Sequence, residues 1–386
     1  MLFRSWTLTL LLALAALPRS GQSTGEPAEQ PVKMHQTTEW NIRPSQAFDV
    51  LCLLNTLTVD SFYLGYYDSD YRKFAPKLTP EAKAALANLK RKVKDEKGQI
   101  ISASLCLYFS ATDDSTLDDL IATLAETSQM QNNLKKTPYY DDGGWALFES
   151  VRADLGVVFH FLKDIHFEDY WRDSILPIEN AKIDSIKNDL PKYNVIAEVE
   201  TLLGFPLSSN KITVYMLYYS QPHGIKITGT RFLTDVAWPF RIVVRNAAHE
   251  MMHPPFVLGT DPRLVAALNQ LKTDDFLMDK AVHHNPAFGY NSLDGFMEED
   301  CVQALEQLIN EKLKIDREAH LRWKESDDGM HVFAVALYEV MKKERFNDKQ
   351  ETFQDFVIRY IRSGELGPGK IKPLYEAFYA PVLKGK

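Results

Sequence analysis

Residues 245–256 read RNAAHEMMHPPF, and this short stretch carries the most specific signal in the chain. It contains the pattern H-E-x-x-H, formed by His249, Glu250 and His253. Residues four apart on an α-helix differ by only about 40° in direction and about 6 Å in height, so both imidazoles project from the same side. Zinc binds imidazole nitrogens at roughly 2.0–2.1 Å and needs such a pair. The segment therefore predicts two ligands of a zinc site on one helix.

Glu250 is predicted to be the general base of a hydrolytic reaction. It lies about 100° around the helix from His249, so it cannot readily complete the same ligand set, but it can reach a water held by the metal. Such a water loses its proton to the carboxylate and attacks a carbonyl carbon. With 10 histidines in 386 residues, the pattern should arise by chance on the order of 0.02 times. A helix with two solvated or hydrogen-bonded histidines is the alternative.

At these residues the chain resembles the zincin metallopeptidases. In that clan the helix with H-E-x-x-H follows an extended edge strand. The longer pattern that ends in a third histidine is missing, because PPFVLGTDPR follows His253. The resemblance therefore implies the gluzincin branch, in which a glutamate on a downstream helix is the third ligand. We place the chain with uncharacterised gluzincin-like proteins that read HExxHPF, followed by E-x-x-V-x-A, here aligned on Glu299, Val302 and Ala304.

Two neighbouring acids compete for the role of third ligand in the helical segment FMEEDCVQALEQLINEKL (296–313). Glu298 falls near the middle of the apolar face, where a buried carboxylate must be paired or bound to a metal. Glu299 lies at the edge of that face, one turn before Gln303, which can support it by a hydrogen bond. Periodicity slightly favours Glu298, whereas the spacing implied by the resemblance favours Glu299, which we choose. Both acids can also be solvated residues that open a helix.

The two prolines after His253 predict where the first helix ends. A residue before proline is biased away from the α region, so the helix should stop at or near His253. Chains that resemble thermolysin more closely continue this helix further, and the present sequence departs from them here.

A β-hairpin is predicted over residues 211–238, just before the histidine helix. The segments KITVYMLYYS (211–220) and IKITGTRFLTDVAW (225–238) are rich in β-branched and aromatic residues and flank QPHG, which has turn composition. The hairpin would supply the sheet edge that the resemblance implies. A peptide can pair with the segment near 225–235 as an added strand.

A hydrolytic site also needs a donor for the negative oxygen of its tetrahedral intermediate. We choose Tyr290, in AFGYNSLDG, because it shortly precedes the glutamate helix. His283, His284 and His331 are alternatives. None of the four has a distinguishing local pattern, and each can instead be a packed or surface residue.

The predicted fold is α+β and predominantly helical, with a zincin-like core flanked by helical lobes. Helix signals are frequent outside the core; in KLTPEAKAALANLKRKVK, for example, Thr79 is placed to cap a helix that starts with Pro80. The predicted organisation is a signal peptide at 1–23, a flexible leader at 24–40, a helical lobe at 41–204, the catalytic core at 205–325 and C-terminal helices at 326–386.

The first residues predict export. Residues 1–17 carry Arg4 and then an apolar run of about a dozen residues, which is short for a membrane span and typical of a secretory signal. A retained membrane anchor is the alternative. Loss of Arg4 and Arg19 with the signal would lower the formal net charge from −8 by two. An acidic balance argues against nucleic acid and anionic lipid as partners. We expect a secreted or periplasmic protein with no membrane contact after cleavage.

The three cysteines are Cys52, Cys106 and Cys301. Export permits disulfides, and Cys52 with Cys106 is the plausible pair because both lie on apolar helical segments of the first lobe. Burial of both as free thiols is the alternative.

These patterns together predict an exported hydrolase with one zinc ion per chain, most consistent with a peptidase that acts on peptides or proteins. His249, His253 and Glu299 would bind the metal. Two other functions stay open from the residues alone. One is an exported helical binding protein with a structural or vestigial zinc site, and the other is a zinc amidase or esterase with a substrate outside proteins.

Overall fold

A mixed sheet of four short strands separates two layers of helices in this computed structural model. The structure describes residues 34–35, 37–256, 261–285, 288, 290, 292–315, 318–346 and 351–384. The strands are β1 (Glu39–Arg43), β2 (Lys211–Leu217), β3 (Ile225–Ile227) and β4 (Arg231–Asp235). Their order in the sheet is β1-β2-β4-β3. β2 is parallel to both β1 and β4, whereas β3 is antiparallel to β4.

The predicted hairpin between 211–220 and 225–238 is wrong in its pairing. β2 and β4 run parallel, with Thr213 opposite Arg231, and the antiparallel partner of β4 is the short β3. Every residue of β2 after Lys211 is buried. A strand that is buried on both faces has a nearly continuous run of apolar residues, as KITVYML does. Such strands are typical of parallel pairing. Composition located the strands correctly, but it did not show which strands are neighbours.

Strand β1 corrects the predicted end of the flexible leader. We expected residues 24–40 to lack regular structure, yet Glu39 and Trp40 belong to β1 and pair with β2. The strand sequence EWNIR mixes polar and apolar residues and has no buried position, so it offers no hydrophobic pattern to detect. The predicted signal peptide at 1–23 lies outside the described residues.

The two faces of β2 enter different hydrophobic cores. Val214 and Met216 pack with helices from the C-terminal half of the chain, whereas Tyr215 and Leu217 pack with the N-terminal helices. This division follows from strand geometry, since successive side chains point to opposite faces of a sheet. The sheet therefore joins the two helical layers, within one compact unit that spans Met34–Lys386.

The N-terminal layer consists of helices, and capping residues in the sequence set where they begin. Thr79 accepts a hydrogen bond from the backbone N–H of Ala82, and Pro80 takes the first position of the helix, as predicted. The helices before β2 are α1 (Gln46–Leu57), α2 (Ser61–Phe74), α3 (Pro80–Leu89), α4 (Ile101–Phe109), α5 (Leu117–Ala125), α6 (Ser128–Leu134), α7 (Asp142–Asp164), α8 (Phe167–Tyr170), α9 (Leu176–Ile186) and α10 (Val195–Leu203). Of these, α10 packs in the core of the C-terminal helices.

The helices after β4 form the second layer and carry the candidate site. They are α11 (Phe240–Met251), α12 (Pro262–Leu271), α13 (Asp275–His283), α14 (Leu293–Leu313), α15 (Ala319–Glu325), α16 (Val332–Lys343), α17 (Phe353–Arg362) and α18 (Ile371–Lys384). The structure is 67% helical, which confirms the predicted class of a predominantly helical α+β fold. Among the described residues no single helix is long and apolar enough to cross a membrane, although Gln46–Leu57 and Ser61–Lys77 meet that criterion together as a pair bent by 110°.

The predicted cysteine pair lies in the N-terminal core. The Sγ atoms of Cys52 and Cys106 are 4.0 Å apart, far beyond the about 2.05 Å of an S–S bond. Both side chains are buried free thiols, and so is Cys301. The structure therefore shows the thiol alternative.

A buried carboxylate holds the loop that leads from β2 to β3. Asp49 in α1 is fully buried, and its Oδ1 accepts hydrogen bonds from the backbone N–H groups of Tyr218 and Tyr219, both at 3.0 Å. Trp171 Nε1 donates to the other oxygen at 2.7 Å. Burial raises the pKa of Asp49, although these hydrogen bonds oppose the rise. The N-terminal helices thus fix the loop at 218–224, which reaches the candidate site.

Candidate metal centre

Helix α11 positions the H-E-x-x-H residues. One face is apolar and buried in the C-terminal core. Asn246, His249 and His253 form a partly exposed stripe beside it, at steps of three and four residues. The regular helix ends at Met251, and the N–H of His253 still donates to the Glu250 carbonyl at 3.4 Å. This confirms the helix end predicted from the prolines, with both imidazoles on one side.

Three candidate ligand atoms converge at the centre of the site. His253 Nε2 lies 3.1 Å from His249 Nε2. Glu299 Oε2 lies 3.6 Å from His249 Nε2 and 3.4 Å from His253 Nε2. Around a tetrahedral ion with bonds of about 2.05 Å, neighbouring ligand atoms are about 3.3 Å apart. The observed separations bracket this value.

Hydrogen bonds at the far side of each imidazole decide which atoms face this point. His249 Nδ1 lies 2.8 Å from Glu306 Oε2, and His253 Nδ1 lies 3.1 Å from Glu298 Oε1. An ionised carboxylate only accepts, so each Nδ1 donates, and in the neutral imidazoles both Nε2 atoms keep a lone pair. The buried Glu299 Oε2 has no hydrogen-bond partner within the described part of the chain. When both imidazoles are neutral, three acceptors face one another without a donor among the described residues, and the group could bind a metal ion.

The charges around this point favour a cation. Burial lowers the pKa of His249, but the carboxylates of Glu299 and Glu306 outweigh burial and place that pKa well above its ordinary value. Burial lowers the pKa of His253, but the carboxylates of Glu298 and Glu299, which accept hydrogen bonds from the protonated ring, outweigh burial and raise that pKa to about 9. Burial would raise the pKa of Glu299, but the two imidazoles hold it well below its usual range. A metal bound here would displace protons from the imidazoles.

The structure distinguishes the two acids that compete for the third position. Glu299 is buried and offers its free oxygen to both imidazoles. Glu298 has a more exposed side chain, 26% against 3% for Glu299, and contacts the far nitrogen of His253. Gln303 Nε2 donates to Glu299 Oε1 at 2.7 Å, as the spacing predicted. Glu298 therefore contacts the far nitrogen of one imidazole, while Glu299 belongs to the group that could bind a metal ion.

A ring of contacts, which the sequence had not revealed, connects two of these residues; it is a run of hydrogen bonds closed by the 3.6 Å approach of Glu299 Oε2 to His249 Nε2. Arg322 in α15 donates to Gln303 Oε1 at 2.5 Å and also to Glu306. Glu306 contacts His249, and Gln303 contacts Glu299, so the ring runs from one candidate ligand to the other. Gln303 and Glu306 follow Glu299 by four and seven residues, on the same side of α14, so periodicity could have found Glu306. Arg322 comes from another helix and has no local signal.

Glu250 lies beside the three ligand atoms and is buried, with 7% exposure. It shares the walls of two neighbouring cavities, of about 370 and 620 Å³, with His249 and Glu299. A Cβ atom at position 224 would lie 2.8 Å from Glu250 Oε1, so Gly224 leaves room for the carboxylate in this position, and a larger residue would require the carboxylate to shift. Burial raises the pKa of Glu250. The positive charges of the imidazoles and Lys226 lower it, but they do not outweigh burial. A carboxylate with a raised pKa is the better proton acceptor.

Tyr290 also lies in the walls of both cavities. Its backbone is left-handed, with φ of 58°, a conformation that costs energy for a bulky residue and often marks a functional position. Burial and the negative charge of Glu299 raise the pKa of Tyr290 well above its ordinary value. The phenol therefore keeps its proton at neutral pH and is a hydrogen-bond donor next to Glu299.

The three alternative histidines are placed less favourably. His283 is exposed at the end of α13, and His284 Nδ1 contacts a carbonyl of that helix at 3.1 Å. His331 is buried, with Nδ1 2.7 Å from Asp300 and Nε2 2.9 Å from Asp327, so both ring nitrogens are engaged. None of the three lies in the walls of the two described cavities.

No protein-family model, curated protein or solved structure matches this chain.

The ring predicts a large loss of stability when its arginine is removed. Arg322 and Glu306 are 5% and 3% exposed. Arg322→Met should lower the free energy of unfolding by about 3–5 kcal/mol, because the buried carboxylate of Glu306 then lacks the guanidinium with which it pairs. Urea unfolding of the protein measures the change. Lys324→Met, at an exposed position of the same helix, is the control and should change the value by about 0.5 kcal/mol or less. Equal losses in both variants would contradict this role of Arg322.

Proposed function

We propose that this chain is an exported, zinc-dependent hydrolase of the gluzincin type that cleaves peptides or proteins. The observation that carries the proposal is the convergence of two imidazole nitrogens and one carboxylate oxygen, which has no hydrogen-bond partner among the described residues, beside a buried glutamate. In this proposal His249, His253 and Glu299 hold the metal, Glu250 is the general base, and Tyr290 is the oxyanion donor. β3, α11 and α14 then form a zincin-like core.

The donor set favours zinc over other common divalent cations. Two imidazoles and one carboxylate, with a fourth position left open, form a ligand set known for catalytic zinc. Calcium and magnesium prefer sites made of oxygen atoms alone. The carboxylates of Glu298 and Glu306 contact the far nitrogens of the two imidazoles. Such contacts fix the tautomer and orientation of metal-binding histidines, and they strengthen them as ligands.

Each side chain around the metal position has its own role in the proposed reaction. When bound, zinc supplies a Lewis acid that makes a water a nucleophile near neutral pH. A carboxylate oxygen of Glu250 takes up the proton of the attacking water and later passes it to the leaving amine. The phenol of Tyr290 donates a hydrogen bond to the oxygen that becomes negative as the carbonyl carbon turns tetrahedral.

Peptides are the favoured substrates because an edge strand lies next to the site. β3 is the last strand of the described sheet, and Gly224, which leads into it, lies in the walls of both cavities beside Glu250. An extended peptide can pair its backbone with such an edge and be held along it. Esters and small amides lack the backbone for this pairing.

Zinc content and metal-dependent cleavage test the proposal together. Purified protein should contain one zinc per chain and cleave members of a peptide library, measured by mass spectrometry. Chelation should abolish cleavage, and zinc should restore it. Zinc-loaded protein that cleaves no peptide at any concentration would favour an exported binding protein, and turnover of esters or small amides alone would favour a non-peptidase. The presence of the chain in the medium or periplasm after expression tests the predicted export.

A further inference from the structure

A groove beside β3 is built by the N-terminal helices. It is the larger of the two cavities at the site, about 620 Å³, and it lies between α4 and the chain around Ile225 and Lys226. Ile100, Ala103 and Leu107 form its α4 wall. This space, named the α4 groove here, continues directly into the site, because His249, Glu250 and Glu299 also line it.

Helix α4 is apolar on two faces: one is buried in the core, and the other is only partly buried, with Ala103 at the margin of the core. Ile101 and Leu105 are buried in the N-terminal core. Ala103 and Leu107 lie on another side, where they are partly exposed to the groove. A surface helix normally places polar residues opposite its buried face. Apolar side chains that face a cavity next to a candidate active site are typical of a surface that binds a ligand.

The walls of the groove are held at a fixed spacing. The backbone N–H of Thr228, just after β3, donates to Ser110 Oγ at 3.0 Å, and Thr228 Oγ1 donates to the Ser110 carbonyl at 2.9 Å. Both residues are buried. These bonds join the end of α4 to the end of β3, so the groove is preformed and a ligand need not organise it.

The course of β3 gives the groove a direction. Pro222 lies in the wall of the smaller cavity, whereas Ile225 and Lys226 lie in the wall of the α4 groove. β3 therefore leads from the smaller cavity towards the groove. Antiparallel pairing is the more stable arrangement per residue, and a peptide paired in this way would run in the opposite direction. Its N-terminal part would occupy the α4 groove and its C-terminal part the smaller cavity.

We infer that the α4 groove is the specificity pocket for the acyl side of the cleaved bond, and that it accepts a large apolar side chain such as leucine or phenylalanine. This inference rests on the peptidase function proposed above. Ala103 sets the depth of the pocket, because it is the smallest of the apolar residues in the α4 wall.

Ala103→Trp tests the inference by filling the groove. For peptides with leucine or phenylalanine on the acyl side, kcat/KM should fall by at least about 10-fold, because a single methylene in an apolar pocket is already worth about 10–200-fold. For peptides with glycine there, kcat/KM should change less than about threefold, and the zinc content should not change. Ala87→Trp, on the exposed face of α3, is the matched control and should leave both values as they are. Equal losses for both peptide classes, or cleavage without an apolar preference, would overturn the inference.

A binding measurement separates failure of the groove from failure of the proposed function. Zinc-loaded Glu250→Gln protein is titrated with fluorescent peptides that carry leucine or glycine on the acyl side. Tighter binding of the leucine peptide, lost on addition of Ala103→Trp, supports the groove even where no peptide is cleaved. Equal affinities for the two peptides overturn the groove and leave the hydrolase proposal to be judged by turnover alone.

Discussion

Glu250→Gln is expected to lower kcat/KM for peptide hydrolysis by about 10²–10⁴-fold, the range that a general base contributes. Glutamine keeps the shape of the side chain, so it still fits beside Gly224, where the carboxylate is closely packed. The glutamine amide cannot take up a proton, so the attacking water would keep its proton and remain a poor nucleophile. Because Glu250 is outside the group of candidate ligands, the zinc content of the variant should remain one per chain.

Glu376→Gln is the matched control for this variant. Glu376 is exposed on α18 and lies in neither cavity at the site, so the same chemical change there should leave kcat/KM and zinc content as they are. Initial rates with one peptide substrate, together with metal analysis of each sample, give both readings. Undiminished turnover in Glu250→Gln would exclude it as the base, and loss of zinc would show that the substitution disturbed the site instead.

Glu299→Ala is expected to have the second large effect, loss of zinc at neutral pH. The carboxylate provides the third atom of the converging group, and its free oxygen has no other described partner. Glu298→Ala is the matched comparison, because this neighbour only orients His253 through its far nitrogen. Loss of such a supporting contact typically weakens metal binding about 10–100-fold, and loss of a ligand should weaken it more.

Competition with a chromogenic zinc chelator measures both affinities under the same conditions. The expected order is wild type, then Glu298→Ala, then Glu299→Ala as the weakest. The reverse order would assign Glu298 as the ligand and contradict the geometry described above. Circular dichroism of the metal-free proteins checks that each variant is folded, since Glu299 is buried and its loss also removes a hydrogen bond to Gln303.

The features of the site that could be predicted from sequence are those set by short-range geometry. His249 and His253 lie on one side because their spacing matches one turn of a helix. Pro254 and Pro255 end that helix because proline restricts the residue before it. The support of Glu299 by Gln303 follows from the same periodicity. In each case the residues that must meet are within about one turn of each other, so local sequence is sufficient.

The strand pairing could not be predicted in this way. The strand segments were visible in their composition, but β2 pairs with β4 in parallel and with β1, which lies far earlier in the chain. Composition records how well a residue fits a strand and not which strand lies beside it. The edge position of β3, on which the proposed peptide pairing depends, is a property of the whole sheet.

The positions of the charged side chains around the metal position could also not be predicted from sequence, because they depend on the tertiary structure. Periodicity slightly favoured Glu298, yet Glu299 points to the imidazoles and Glu298 to the far side of His253. Arg322 reaches Glu306 from another helix, and α4 reaches the site across the sheet from the N-terminal layer. The helix spacing of His249 and His253 was enough to suggest a metal, because backbone geometry acts over a few residues. Ligand choice, the supporting ring and the substrate groove depend on packing between segments distant in sequence, which local pattern does not encode.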